Sequence, residues 1–105
     1  MAITRDFKET IQARALRDSE FRKAILAESI ECMLDGDVKT GKALLRNYIN
    51  AAVGFETLGQ ETGKGPKSLM RMFSNKGNPT ATNYFKIVSF LQKKEGIHYK
   101  LHVAK

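Results

Sequence analysis

Residues Phe55–Ser74 read FETLGQETGKGPKSLMRMFS, and their spacing predicts two short helices joined by a glycine turn. Phe55, Leu58 and Thr62 recur at the spacing of one helical face, and Gly59 falls where the second helix crosses closest and leaves no room for a side chain. Gly63 follows. A turn this tight needs a residue that tolerates positive φ, which glycine does without the steric cost of a Cβ. Pro66 then opens the second helix, where its missing N–H would have no intrahelical partner anyway and its fixed φ is already helical. Within that helix Leu69, Met72 and Phe73 face inward by period, while Lys67, Met70, Arg71 and Ser74 face outward. The pattern is a helix-turn-helix with a basic outer face.

Glycine-joined helix pairs occur in many helical proteins, so spacing alone decides little. The outer face adds chemistry: lysine and arginine reach guanine O6 and N7 or phosphate, and a methionine can touch a thymine methyl. The whole chain agrees, with 18 Lys+Arg against 11 Asp+Glu and a formal net charge of +7, a balance that favours a polyanionic partner. Spacing, outer face and charge together point to double-stranded DNA.

The remaining sequence predicts an all-α bundle. Phe7, Ile11 and Leu16 mark a first helix ending near Asp18, and Asp18 or Ser19 caps a second whose apolar face carries Phe21, Ile25, Ile30, Met33 and Leu34. Gly36 stops that helix and Asp37 caps a third, with Val38, Gly41, Leu45, Tyr48, Ile49 and Ala52 on one side. After the polar loop Asn75–Pro79, Asn78 or Thr80 caps a last helix bearing Ala81, Tyr84, Phe85, Val88 and Leu91, with Lys93 and Lys94 near its end and Gly96 closing it. The period then changes to strict alternation, Ile97, Tyr99, Leu101 and Val103 against His98, Lys100 and His102. Such a stretch reads as a strand pairing with its equivalent in a second copy, or as an irregular tail laid across the helices. The expected organisation is one domain over residues 1–105: a helical extension (1–36), a helix-turn-helix core (37–96) and a strand or tail (97–105).

Other chemistries find little support. The lone Cys32 cannot form an internal disulfide, and its position beside Met33 on an apolar helix reads as a structural thiol rather than a nucleophile. His98 and His102 lack a Cys or carboxylate cluster that would complete a metal site. Glu28, Glu31, Asp35 and Asp37 surround a helix end, where capping and solvation explain them. Gly63 and Gly65 lack the spacing and terminal Lys-Ser/Thr of a nucleotide-phosphate loop. No enzyme activity, cofactor or metal is expected. No apolar run is long enough to span a bilayer, and MAITRDFKET carries charges where a secretory leader needs an apolar stretch, so the expected location is the cytoplasm.

Leu58, Gly59, Gly63, Leu69 and Met72 resemble the helix-turn-helix of lambda-repressor-like, Cro/C1-type (Xre) regulators. More widely, LDGD at Leu34–Asp37 and LLRNYINAAVGFETLGQETGKGPKSLMRMFSNKGNPTATNYFKIV at Leu44–Val88 resemble small regulators related to addiction-module antidote proteins and prophage DNA-binding proteins, KSLMRMFSNKGNP being the most specific part. The resemblance implies a repressor that docks as a homodimer on a two-fold operator with its second motif helix in the major groove. It places Pro66, Lys67 and Arg71 at base-facing positions, and Phe55, Ser74 and the Asn75–Asn78 loop at positions where phosphate contacts are common. Two residues depart from the family pattern. Pro66 has no N–H or polar side chain to read a base, and Phe55 stands where a phosphate-clamping Gln is frequent, which moves both toward structural roles. The candidate DNA-contacting set is therefore Lys64, Lys67, Ser68, Met70, Arg71, Ser74, Asn75, Lys76 and Asn78, with Lys67 and Arg71 as the base readers. The resemblance also implies an antitoxin role, in which residues 1–34 could cover a co-encoded toxin or instead complete the core or the dimer.

Overall fold

Side-chain caps decide where the helices begin. Asp18 accepts from the Phe21 N–H at 3.1 Å, Asp37 from Thr40 at 3.3 Å and Thr80 from Asn83 at 3.1 Å, each satisfying a donor that the first turn leaves unpaired. In the computed structural model, which describes residues 13–15 and 17–105, these caps open α1 (Ser19–Leu34), α2 (Val38–Ala52) and α5 (Ala81–Glu95). Between the latter two lie α3 (Phe55–Thr62) and α4 (Pro66–Met72). Asn78, the alternative cap, is engaged elsewhere. A helical turn precedes α1, with the Asp18 N–H donating to the Arg14 carbonyl at 2.9 Å. Phe7, Ile11 and Leu16, on which the expected first helix rests, lie outside the described residues.

The described residues form an all-α fold with no strand. Each of α1–α5 feeds one core: Leu26 from α1, Leu45, Tyr48 and Ile49 from α2, Phe55 and Leu58 from α3, Leu69 from α4, and Tyr84, Ile87, Val88 and Leu91 from α5, with Phe73 just beyond α4. Each such aliphatic or aromatic side chain contributes about 1.5–3 kcal/mol when withdrawn from water. α1 and α2 cross where the Ser29 hydroxyl donates to the Gly41 carbonyl at 2.8 Å.

Three large apolar residues expected inside are outside. Leu34, Val38 and Phe85 are 62%, 38% and 61% exposed, because the C-terminal end of α1, the start of α2 and the start of α5 diverge around an apolar groove. That groove has a volume of about 660 Å³ and is floored by Ile30, Met33 and Tyr84.

The C-terminal strand is not formed, and the irregular-tail alternative describes residues 97–105. Alternation of apolar residues specifies two faces, but a strand also needs a neighbour for its N–H and C=O groups. Here the Tyr99 N–H donates to Gln92 Oε1 at 2.8 Å and the Tyr99 hydroxyl to the Lys23 carbonyl at 2.7 Å, which pins the tail against α5 and α1. Leu101 and Val103 beyond it are exposed.

Close to this pin, one carboxylate joins three helices. Arg22 of α1 donates through Nε and Nη2 to Glu95 of α5 at 2.9 and 3.2 Å, and the Tyr48 hydroxyl of α2 donates to the same carboxylate at 2.5 Å. A further Arg22 nitrogen donates to the Ala15 carbonyl at 2.9 Å. The Glu95 side chain is only 4% exposed. Burial on its own raises a carboxyl pKa, but the Arg22 and Tyr48 donors outweigh it and hold Glu95 below the ordinary value. Burial, reinforced by that carboxylate, pushes the Tyr48 hydroxyl well above its ordinary range.

Candidate nucleic-acid interface

The turn between α3 and α4 is folded over a glycine. α3 ends at Gly63, whose φ of 73° places it in the left-handed region, and the Lys64 N–H returns to the Gly59 carbonyl at 3.1 Å. A Cβ on Gly59 would stand 2.5 Å from the Lys64 carbonyl oxygen and 3.3 Å from Pro66 Cδ. The closest approach at Gly59 therefore comes from the turn itself and the first residue of the next helix. Pro66 takes the first position of α4 as expected.

That junction fixes the roll of α4. Leu69 is fully buried, Phe73 is 1% exposed and Met72 is half-buried, so the opposite side carries Lys67, Ser68, Met70 and Arg71 into solvent. Asn75, Lys76 and Asn78 are exposed on the loop that follows, while Lys64 and Ser74 are half-buried. Ser74 faces out less than its period implies: its Oγ donates to the Arg71 carbonyl at 2.7 Å and accepts from the Gly77 N–H at 3.2 Å, work within the loop. Phe55 is buried at 6% exposure. Among the described residues, none of Lys64, Lys67, Arg71 and Lys76 forms an ion pair, and the exposed carboxylates Glu56 and Glu61 lie on α3.

One neighbour of this candidate site, Lys42, lies outside the motif. Lys42 of α2 is 5% exposed, and its ammonium donates to the Ser74 carbonyl at 3.1 Å, to Asn78 Oδ1 at 3.2 Å and to the Gly77 carbonyl. The signal was present. Lys42 lies in helical phase with Leu45 and Ile49, an inward position where a cation needs a reason.

No other chemistry converges nearby. Among the described residues no three of His, Cys, Asp and Glu gather into a group that could hold a metal ion, and no helix is long and apolar enough to cross a membrane. Cys32 is half-buried, and burial together with Asp37, Glu28, Asp35 and Glu31 pushes its thiol pKa up, away from thiolate reactivity. His98 and His102 are exposed on the tail.

Comparisons with models of known protein families, with characterised proteins and with solved structures return no match to this chain.

Proposed function

We propose that this chain is a sequence-specific DNA-binding transcriptional regulator, a repressor acting as a dimer, with α4 entering the major groove. The observation that carries the reading is the face of α4. Lys67, Ser68, Met70 and Arg71 stand together in solvent, oriented by the burial of Leu69 and Phe73, in a chain of net charge +7. Lys67 and Arg71 read base edges, while Lys64, Asn75, Lys76 and Asn78 contact phosphate and fix register. Ser74 shapes the loop and reaches the backbone only at its rim.

An electrophoretic shift with the DNA upstream of its own gene tests the reading. Binding to that duplex should exceed binding to random duplex, and equal affinity for both at every salt concentration rejects sequence specificity. Arg71→Ala should weaken specific binding by about 1–3 kcal/mol and relax preference at one base position. A uniform loss over all sequences instead assigns Arg71 to phosphate.

A second reading, an antitoxin that also covers a co-encoded toxin, is favoured by the exposed apolar residues Leu34, Val38 and Phe85 around the groove. A small basic toxin-like reading frame beside the gene supports it. Failure to co-purify with that product discards it.

A further inference from the structure

Lys42 sits outside the helix-turn-helix segment, and it is buried without a carboxylate. Lysines almost never reach 5% exposure unless paired, yet the partners here are neutral oxygens: the carbonyls of Ser74 and Gly77 and the side-chain amide oxygen of Asn78. An ammonium has three donors, and this one meets three acceptors. All three belong to a single five-residue stretch, 74–78, and none to α2 itself.

The loop is therefore wound around the cation. Its carbonyls at 74 and 77 turn inward, and Asn75 and Lys76, the two residues between them, are left exposed. The Gly77 N–H closes the winding onto Ser74, at 3.2 Å to its carbonyl oxygen and 3.2 Å to its Oγ. The winding is also seated on α4: a Cβ at Gly77 would collide with the Arg71 carbonyl oxygen, a backbone atom that the flexible end of no side chain can vacate. One buried ammonium thus sets the path of the chain directly after Arg71 and leaves its own charge unneutralised beneath exposed Asn75 and Lys76.

We propose that Lys42 is a positioning residue for the DNA-contacting loop, acting on nucleic acid through the shape it gives residues 74–78 and not by contact. This rests on the DNA-binding reading above. A lysine that merely filled space in the core would leave Lys76 as effective without it as with it.

The experiment uses the full chain, with Lys42→Met, Lys76→Ala and the double variant. Amide exchange at Gly77 should rise about tenfold or more in Lys42→Met while the amides of α3 keep their protection, the pattern of local rather than global opening. Affinity for the upstream duplex should fall about tenfold, and Lys76→Ala should weaken the unaltered chain but add little on the Lys42→Met background, because coupled residues lose additivity. Unchanged affinity in Lys42→Met, or a full additive loss in the double variant, overturns the assignment. If Lys42→Met loses cooperative unfolding, Lys42→Arg is read with the same arms; its planar fork keeps the charge but cannot aim at three converging acceptors, so the same loop opening and partial affinity loss are expected. No specific binding by the unaltered chain rejects the DNA reading and this inference with it. Specific binding that Lys42→Met leaves intact rejects this inference alone.

Discussion

Two inward-turned cations, Arg22 half-buried and Lys42 buried, organise different parts of this bundle, and they are held in different ways. Arg22 meets the Glu95 carboxylate in a two-point pair completed by Tyr48, so the junction of α1, α2 and α5 is built largely from side chains and sets a carboxylate against its cation. Lys42 meets only carbonyl and amide oxygens, so the base of the 74–78 loop is built largely from backbone and keeps a positive charge. The first arrangement suits a scaffold, where charge is a liability to be cancelled. The second suits the proposed DNA-contacting surface, where charge adds to the attraction of an anion and the cage fixes the chain without supplying a competing carboxylate.

The comparison breaks hardest at Glu95. Glu95→Ala should destabilise the fold by about 3–5 kcal/mol, because it removes the buried carboxylate on which Arg22 and Tyr48 converge, and denaturant unfolding measures it. A loss under about 1 kcal/mol would show that Arg22 finds other partners easily. The groups around Arg22 also give stability a pH dependence. The folded-state pKa of Glu95 is depressed, so its stabilisation is present above the ordinary carboxyl value of 4.5 and is lost as pH falls through the lower folded value. The pKa of Tyr48 is raised, so its contribution is complete below 10.0 and is lost as pH rises beyond that. Glu95→Gln should flatten the acid limb of stability against pH. An acid limb unchanged by that substitution would assign it to other carboxyls.

A smaller effect sharpens the Lys42 side. Gly77→Ala forces a methyl against the Arg71 carbonyl and should destabilise by about 2–3 kcal/mol, since overpacking against backbone cannot relax by a rotamer change. Gly36→Ala is the control: it has positive φ but no atom within 4 Å, so only backbone strain of about 1–2 kcal/mol is expected. Equal losses at the two sites, read by thermal melting, would mean that the 74–78 loop yields readily.

The sequence made most of the scaffold legible because helix ends carry their own chemistry. Asp18, Asp37 and Thr80 cap the helices they precede, Gly63 and Gly96 take the left-handed conformation that ends α3 and α5, and the period of Leu69 and Phe73 gives the roll of α4. These are local signals. What escaped depends on partners distant along the chain: the helical phase of Lys42 points it inward, but the reason for a cation there is formed only when carbonyls 32 and 35 residues away are brought to it. The strand expected over residues 97–105 is not formed for a related reason. Alternation of Ile97, Tyr99, Leu101 and Val103 says which faces differ and nothing about a neighbour, and Tyr99 is fixed by α1 and α5 instead of by a ladder. Leu34, Val38 and Phe85 show the limit of helical period itself, which gives a face but not how far its ends remain covered.

The span of the Arg22–Glu95 pair has a kinetic consequence. Its partners are 73 residues apart in sequence, whereas the helices and the α3–α4 turn close through neighbours. Local contacts lead folding and a contact of this reach completes it, so the pair belongs to the late, downhill side of the barrier. Weakening it should steepen the escape from the native state while leaving the approach nearly untouched: in a chevron, Glu95→Gln raises the unfolding limb and leaves the folding limb in place, and the reverse would put the pair in the nucleus. The carboxylate that joins three helices then governs how long each molecule stays folded more than how quickly it gets there.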